Sequence, residues 1–306
     1  MRLLFLTQQF DVKADSNLVL LTLACLDRGF EVIWGSIDHL SLNSGGINAV
    51  GFVANASTLS SPLPQQWASF DCREFNLIWL LSLGKRQTFL DKIQLLRLVE
   101  RDVRVINSTN ALLHLRSKYG LTQQSTLFQH PETHASNQLA PLAEVIARGG
   151  QWILKPPAGS MGSQVFLLDR ETSNYRDILR HMLGLHEDQY LLLQAYLPEI
   201  TSGEKRVLMA GGEIMGCYLR LPAEDHRTNL AQGAQAERAT LSHQEIALAH
   251  TIGAFCQTEG AEFIGIDMVY PYIIEINIVN PGGLGTLQGL GIDLPADRLI
   301  QQIVPR

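Results

Sequence analysis

Cysteine is scarce and scattered in this chain. Its four, Cys25, Cys72, Cys217 and Cys256, form no C-x-x-C pair and have no histidines at metal-ligand spacing, which excludes a disulfide scaffold and a zinc ribbon. They read as buried, reduced thiols of a cytoplasmic protein. Long apolar runs are missing too. No window approaches the roughly 18 consecutive apolar residues of a membrane helix. The apolar run at the N-terminus, Leu3–Leu6, falls short of the about 7–15 residues of a signal peptide and reads as a first strand.

Basic charge is not in excess either. With 24 Lys and Arg against 30 Asp and Glu the net charge is −6, whereas a general nucleic-acid binder needs a basic face to displace counterions. A few local cations can still hold a small anion. Neither a P-loop, nor the dinucleotide glycine fingerprint, nor a G-x-S-x-G elbow is present, and no Ser/His/Asp set stands out. The pair His130 and His134 is spaced i, i+4, but Pro131 disfavours a continuous helix there and the pattern is not H-E-x-x-H.

What is present is a chain of 306 residues, 46% hydrophobic and 18% charged. A chain of that length buries roughly 75% of its unfolded surface, and about two domains are expected at roughly 150 residues each. Three blocks fit the pattern better than two. In residues 1–117 strands at Leu3–Leu6, Phe30–Trp34, Leu77–Leu81 and Val103–Ile106 alternate with helices. One helix is capped by Ser16 and ended by Gly29; another follows Thr88. That alternation implies a parallel, two-faced α/β layer. Ser41–Ser61, rich in Ser, Asn and Gly, reads as a loop with a short hairpin.

Residues 118–197 hold strand, turn, strand, helix and strand, a small α+β unit. Residues 198–306 hold two strands joined at Gly211-Gly212 and a polar, mobile stretch at Pro222–Arg238. A helix with the capping box Ser242-x-x-Glu245 follows, then a strand pair, Phe263–Val269 and Tyr272–Ile278.

Three features carry chemistry. In Gly265-Ile-Asp267 through Glu275-Ile-Asn277, strand periodicity puts Glu275 and Asn277 on one face, and a turn centred on Pro271 sets Asp267 across from Glu275. Two carboxylates and an amide oxygen suit a hard divalent cation; pairing with Arg or Lys from elsewhere explains them equally well. In the second, Lys155 ends a strand before a small-residue turn containing Gly159 and Gly162. Such a turn can cradle phosphate with backbone N–H groups, or be a plain hairpin turn. The third comprises Glu204-Lys205-Arg206, Arg220 and Arg227-Thr-Asn229, where arginine forks match phosphate or carboxylate. Solvated surface arginines are the plainer reading.

Together and in this order, these features resemble the ATP-grasp ligases, and along nearly the whole chain the prokaryotic glutathione synthetase family. The segments that match are Lys13-Ala-Asp-Ser16, Ile106-Asn-Ser108, Ser117-Lys118, Gln194-Ala-Tyr-Leu-Pro-Glu-Ile200, Gly203-Glu-Lys-Arg206, Leu219-Arg-Leu-Pro222, Arg227-Thr-Asn-Leu230, Gly265-Ile-Asp267 and Glu275-Ile-Asn277. The resemblance implies an ATP-grasp fold: an N-terminal parallel-sheet domain (1–117), a small lid (118–197) and a C-terminal α+β domain (198–306). It implies ATP as a ligand, with Lys118 and Lys155 on the phosphates and the Gly159–Gly162 turn as a cover. Gln194, Ala195, Tyr196 and Leu197 become the hinge beside adenine, and Glu204 reaches the ribose. Asp267, Glu275 and Asn277 become ligands of Mg²⁺ or Mn²⁺. Arg206, Arg220 and Asn229 face the reacting carboxylate, under a closing loop from Pro222 to Arg238. Small-molecule acid and amine substrates and a homo-oligomeric state are implied as well.

The chain departs from that family in places. Ser82-Leu-Gly-Lys-Arg-Gln-Thr-Phe-Leu-Asp91 stands where the family has R-x-D-P-P-F-D, and Ser160 and Met161 where it has Met and Gly. Glu204 replaces Asp, Thr228 replaces the Gly of R-G-N, and Asn280-Pro-Gly-Gly283 replaces S-P-T. The ATP and metal parts are kept while parts near the acceptor change. The expected function is an ATP-dependent carboxylate–amine ligase acting through an acyl phosphate, with γ-glutamylcysteine and glycine as the leading pair and another amino acid, peptide or amine as the alternative. A non-catalytic nucleotide-binding homologue predicts a broken metal set, yet Asp267, Glu275 and Asn277 are all present.

Overall fold

A computed structural model describes residues 1–59, 63–158, 164–186, 189–222, 228, 230, 233–293 and 295–304. Three sheets organise them. The first runs β4-β3-β2-β1-β5-β6, from β1 (Arg2–Thr7), β2 (Glu31–Asn43), β3 (Gly46–Ala54), β4 (Ala68–Asp71), β5 (Leu77–Leu80) and β6 (Arg104–Ile106). Helices α1 (Asn17–Leu26), α2 (Phe89–Val99) and α3 (Thr109–His114) accompany it. Helix α1 starts where the Ser16 hydroxyl accepts from the Val19 N–H at 3.3 Å, and it buries Leu18, Leu21 and Cys25.

This sheet is not wholly parallel. Strands β2, β1, β5 and β6 are parallel, but beyond β2 the pairing is antiparallel, β3 against β2 and β4 against β3. The segment from Ser41 to Ser61, expected as a loop with a short hairpin, does hold a hairpin turn between Asn43 and Gly46, but it is largely strand: the end of β2 and all of β3. Its glycines are close-approach positions: Gly51 pairs with Gly35, and a Cβ on Gly51 would lie 2.1 Å from the Trp34 carbonyl oxygen.

The second sheet, β7-β10-β8-β9, is built from β7 (Thr133–Ser136), β8 (Trp152–Lys155), β9 (Phe166–Leu168) and β10 (Leu191–Ala195). With α4 (Leu139–Ala147) and α5 (Tyr175–Leu183) it encloses its own core of Leu142, Ile146, Leu154, Leu179 and Leu193. The third sheet, β13-β12-β11-β14-β15, comprises β11 (Glu204–Ala210), β12 (Glu213–Leu221), β13 (Gln235–Arg238), β14 (Phe263–Val269) and β15 (Tyr272–Asn277). Helices α6 (His243–Thr258), α7 (Leu284–Gly289) and α8 (Pro295–Ile303) complete it. The polar stretch expected to be mobile therefore ends in a strand, β13, paired with β12.

First and third sheets share their apolar cores. One cluster joins Leu4, Ile33 and Ile78 to Val207, Ile264 and Ile276. Asn107, just after β6, also spans both. Its amide donates to the carbonyls of Phe263 (2.7 Å) and Ile278 (2.6 Å) and accepts from the N–H groups of Glu262 and Phe263. No helix among the described residues is long and apolar enough to cross a membrane.

Candidate active site

Pairing in the third sheet aligns the polar residues singled out by sequence. Glu204 lies opposite Arg220, Arg206 lies between Tyr218 and Asp267, and Asp267 in turn faces Glu275. Asn277 pairs with Gly265. Because side chains alternate along a strand, these residues share one face.

That face meets the ends of β8 and β10 across a cavity of about 690 Å³. Lys118, Lys155, Gln194, Ala195, Tyr196, Leu197, Glu204, Arg206, Arg220, Asp267, Glu275 and Asn277 all line it. Gly159, Gly162 and Asn229, also expected there, lie outside the described residues, as does Arg227. Thr228 and Leu230 reach the cavity wall.

Electrostatically the cavity holds a balanced buried quartet. Arg206 embraces Asp267 with two bonds, Nε to Oδ1 and Nη2 to Oδ2 at 3.0 Å. Arg220 Nη2 reaches Asp267 Oδ1 at 2.8 Å and also the Glu204 carboxylate. All four side chains are nearly sealed from solvent. Burial by itself raises the Asp267 pKa, but the two guanidinium groups override it and hold the carboxyl well below its usual range. Asn277 donates to Asp267 Oδ2 at 3.1 Å, which leaves its amide oxygen as the acceptor atom. Arg220 Nε, also buried, has no hydrogen-bond partner among the described residues, a vacancy that an anionic ligand can satisfy.

Two lysines stand opposite. Lys118 Nζ lies 3.1 Å from Glu275 Oε1. Lys155 Nζ donates to Gln194 Oε1 at 2.7 Å; burial, then the nearby Lys118 ammonium, lower its pKa to about 8 against the pull of Glu275 and Asp267. Both acids of the proposed metal set thus pair with cations from other elements. Among the described residues no three His, Cys, Asp or Glu side chains cluster. The set offers two carboxylates and an amide oxygen, donors that fit a hard divalent cation keeping waters or phosphate oxygens as its other ligands.

Sequence reasoning missed Ile153, Val165 and Ile274 of the cavity's apolar wall and Asp11 at its far end, where Lys13 and Asn280–Gly283, both singled out by sequence, also lie. Strand alternation signals Ile153 once Lys155, two residues on, is known to face a ligand, but it places Ile274 opposite to its neighbour Glu275; the register shift between β14 and β15 at this point lets both line the cavity. The 280–283 loop is tied to the first block by Asn17, whose amide donates to Asn280 Oδ1 at 2.8 Å and the Pro281 carbonyl at 3.0 Å. Arg206 Nη1 donates to the Gly282 carbonyl at 3.1 Å.

Residues 120–291 match the model of the prokaryotic glutathione synthetase ATP-grasp domain. A glutathione synthetase of Pseudomonas syringae pv. tomato is 30% identical over 90% of this chain and 86% of its own length. Another, of Synechococcus elongatus, is 27% identical over 92% and 90%. Among solved structures, a D-cycloserine synthetase superposes with a TM-score of 0.68 at 16% identity, covering 98% of this chain and all of that one. An ATP-grasp protein of Sphaerobacter thermophilus gives 0.67 at 18%, covering 99% and 100%. These two likenesses show the ATP-grasp fold. More than half the chain matches the family model, and the chain belongs to the prokaryotic glutathione synthetase family of ATP-grasp ligases, enzymes that form carbon–nitrogen bonds.

Proposed function

We propose that this protein is an ATP- and Mg²⁺-dependent carboxylate–amine ligase that works through an acyl phosphate, with γ-glutamylcysteine and glycine as the leading substrate pair. The observation that carries the reading is convergence: residues from β8, β10, β11, β12, β14 and β15, far apart in sequence, line one cavity. In it, Lys118 and Lys155 bind the nucleotide phosphates, and residues 194–197 flank the base. Ile153 and Ile274 supply an apolar wall for the purine, and Glu204 lies toward the ribose side. Asp267, Glu275 and Asn277 would hold Mg²⁺, which supplies charge neutralisation on the phosphates. The division into blocks 1–117, 118–197 and 198–306 belongs to the same reading, with the second as lid.

Chemistry then needs no side-chain nucleophile. The substrate carboxylate attacks the γ-phosphorus in line and ADP leaves. Arg206 and Arg220, already forked toward carboxylates, offset negative charge on the acid as it becomes an acyl phosphate. The amine attacks the acyl carbon, phosphate departs, the nitrogen loses a proton and the amide remains. Exclusion of water protects the acyl phosphate, a role for the cavity's cover.

A second acid or amine is favoured by one observation. A side chain at Gly282 would meet nothing within 4 Å, so the Asn280–Gly283 loop leaves room at the cavity's far end where the family's S-P-T carries side chains. The test is phosphate release from ATP with γ-glutamylcysteine plus glycine, beside a panel of other acids and amines, with product masses. Release with the leading pair assigns the substrates, release with another pair alone moves them, and silence throughout with ATP still bound rejects the ligase reading.

A further inference from the structure

We propose that His130 is a positioning residue for the nucleotide, acting through Gln194 to aim the Lys155 ammonium at the phosphates. The inference rests on the reading of Lys155 as a phosphate ligand. Its basis is a hydrogen-bond chain in which every link has one permitted direction.

Lys155 can only donate, so the Gln194 atom 2.7 Å away is the amide oxygen. The other end of that amide, Nε2, lies 3.1 Å from His130 Nε2. An amide nitrogen donates, so His130 Nε2 must carry a lone pair. The second ring nitrogen supplies the reason it does. The Thr133 hydroxyl gives its own proton to the Pro131 carbonyl at 2.8 Å and lies 3.5 Å from Nδ1, so it faces that nitrogen as an acceptor for the ring proton. The tautomer is thereby set with its proton on Nδ1. Burial, and then the positive charge of Lys155, push the His130 pKa down to about 4, so the ring stays neutral and its acceptor stays available.

The consequence is directional. With the acceptor gone, the Gln194 amide nitrogen keeps only a 3.5 Å contact with the Ile274 carbonyl, and its orientation is held less firmly. The flipped amide presents N–H groups to the Lys155 ammonium, which repels them and moves from its place at the cavity wall. Binding of the phosphates suffers more than binding of the nucleoside.

Titration calorimetry with ATP, ADP and adenosine on wild type, His130→Phe, His130→Gln and Lys155→Ala tests this. His130→Phe is expected to weaken ATP and ADP by about tenfold, the scale of one lost buried hydrogen bond, and adenosine by clearly less. His130→Gln, whose side-chain oxygen can accept from Gln194, restores most of the loss. Added to Lys155→Ala, the His130→Phe change weakens ATP no further. Equal weakening of ATP and adenosine marks a merely structural role and overturns the proposal. So does an unchanged ATP affinity in His130→Phe when Lys155→Ala is weakened, while the lysine reading survives. An unchanged affinity in Lys155→Ala removes that reading and the proposal with it. Should His130→Phe fail to fold, His130→Leu makes the same ATP-against-adenosine comparison.

Discussion

At Lys155, burial and the neighbouring Lys118 ammonium work against the positive charge while Glu275 and Asp267 favour it, and the balance leaves the pKa at about 8. A phosphate ligand must be charged, so in the free protein this contact fades as pH rises through that value. ATP affinity measured by calorimetry is expected to fall above pH 8, by at most about tenfold per pH unit since one proton is linked, and Lys155→Arg is expected to flatten the dependence. The stability sign is opposite. The lysine is more easily protonated unfolded than folded, so its burial costs most at lower pH, and that cost is relieved between about pH 8 and the unfolded value. For the carboxylates, Glu275→Ala is expected to abolish Mg²⁺-dependent turnover while far-ultraviolet circular dichroism stays unchanged; wild-type turnover in that variant contradicts the metal role. Asp267 facing Glu275 was legible in the sequence because the strand period and one turn suffice to place them. Their partners Arg206, Arg220 and Lys118 were visible as cations but not as partners, since their pairing depends on strand order, a long-range property. His130 was illegible for the same reason: it precedes β7, and its partner Gln194 sits on β10, 64 residues away.

At the scale of elements, local chemistry was the readable part. In α6 the Ser242 N–H donates to Glu245 Oε2 at 2.7 Å and the Glu245 N–H donates to Ser242 Oγ at 3.3 Å, the reciprocal pattern that S-x-x-E announces. Ser242→Ala is expected to destabilise the protein by about 1 kcal/mol in urea unfolding without changing ATP affinity, because α6 does not line the cavity. Composition misled at β3. There Ile47, Ala49 and Phe52 are buried, but the intervening Asn, Gly and Val obscured the alternation, and glycines needed for contact with β2 looked like loop residues. The antiparallel end of the first sheet follows from that one hairpin. Short elements such as β7, β13 and α7 carry too few residues to show a period and are fixed by the strands and helices they pack on.

Across the whole molecule, the site depends on surfaces meeting that are distant in sequence. Asn107 is the clearest polar joint among the described residues: four side-chain hydrogen bonds run from the end of β6 to the start of β14 and the end of β15. Asn107→Ala leaves four buried or partly buried backbone groups without this partner and is expected to cost at least about 4 kcal/mol by denaturant unfolding, at roughly 1–3 kcal/mol for each group stranded. A loss below about 1 kcal/mol would mean that water replaces the side chain. The sequence order of strands and helices was partly readable, while the shared core of first and third sheets was not, because apolar periodicity tells which face is buried and not against what. The central claim, that the carboxylate is activated on phosphate, is tested most directly by isotope transfer. With an acid that supports turnover, labelled with ¹⁸O in its carboxylate, the account predicts one labelled oxygen in the phosphate released with each amide formed. Unlabelled phosphate accompanying amide product would contradict it.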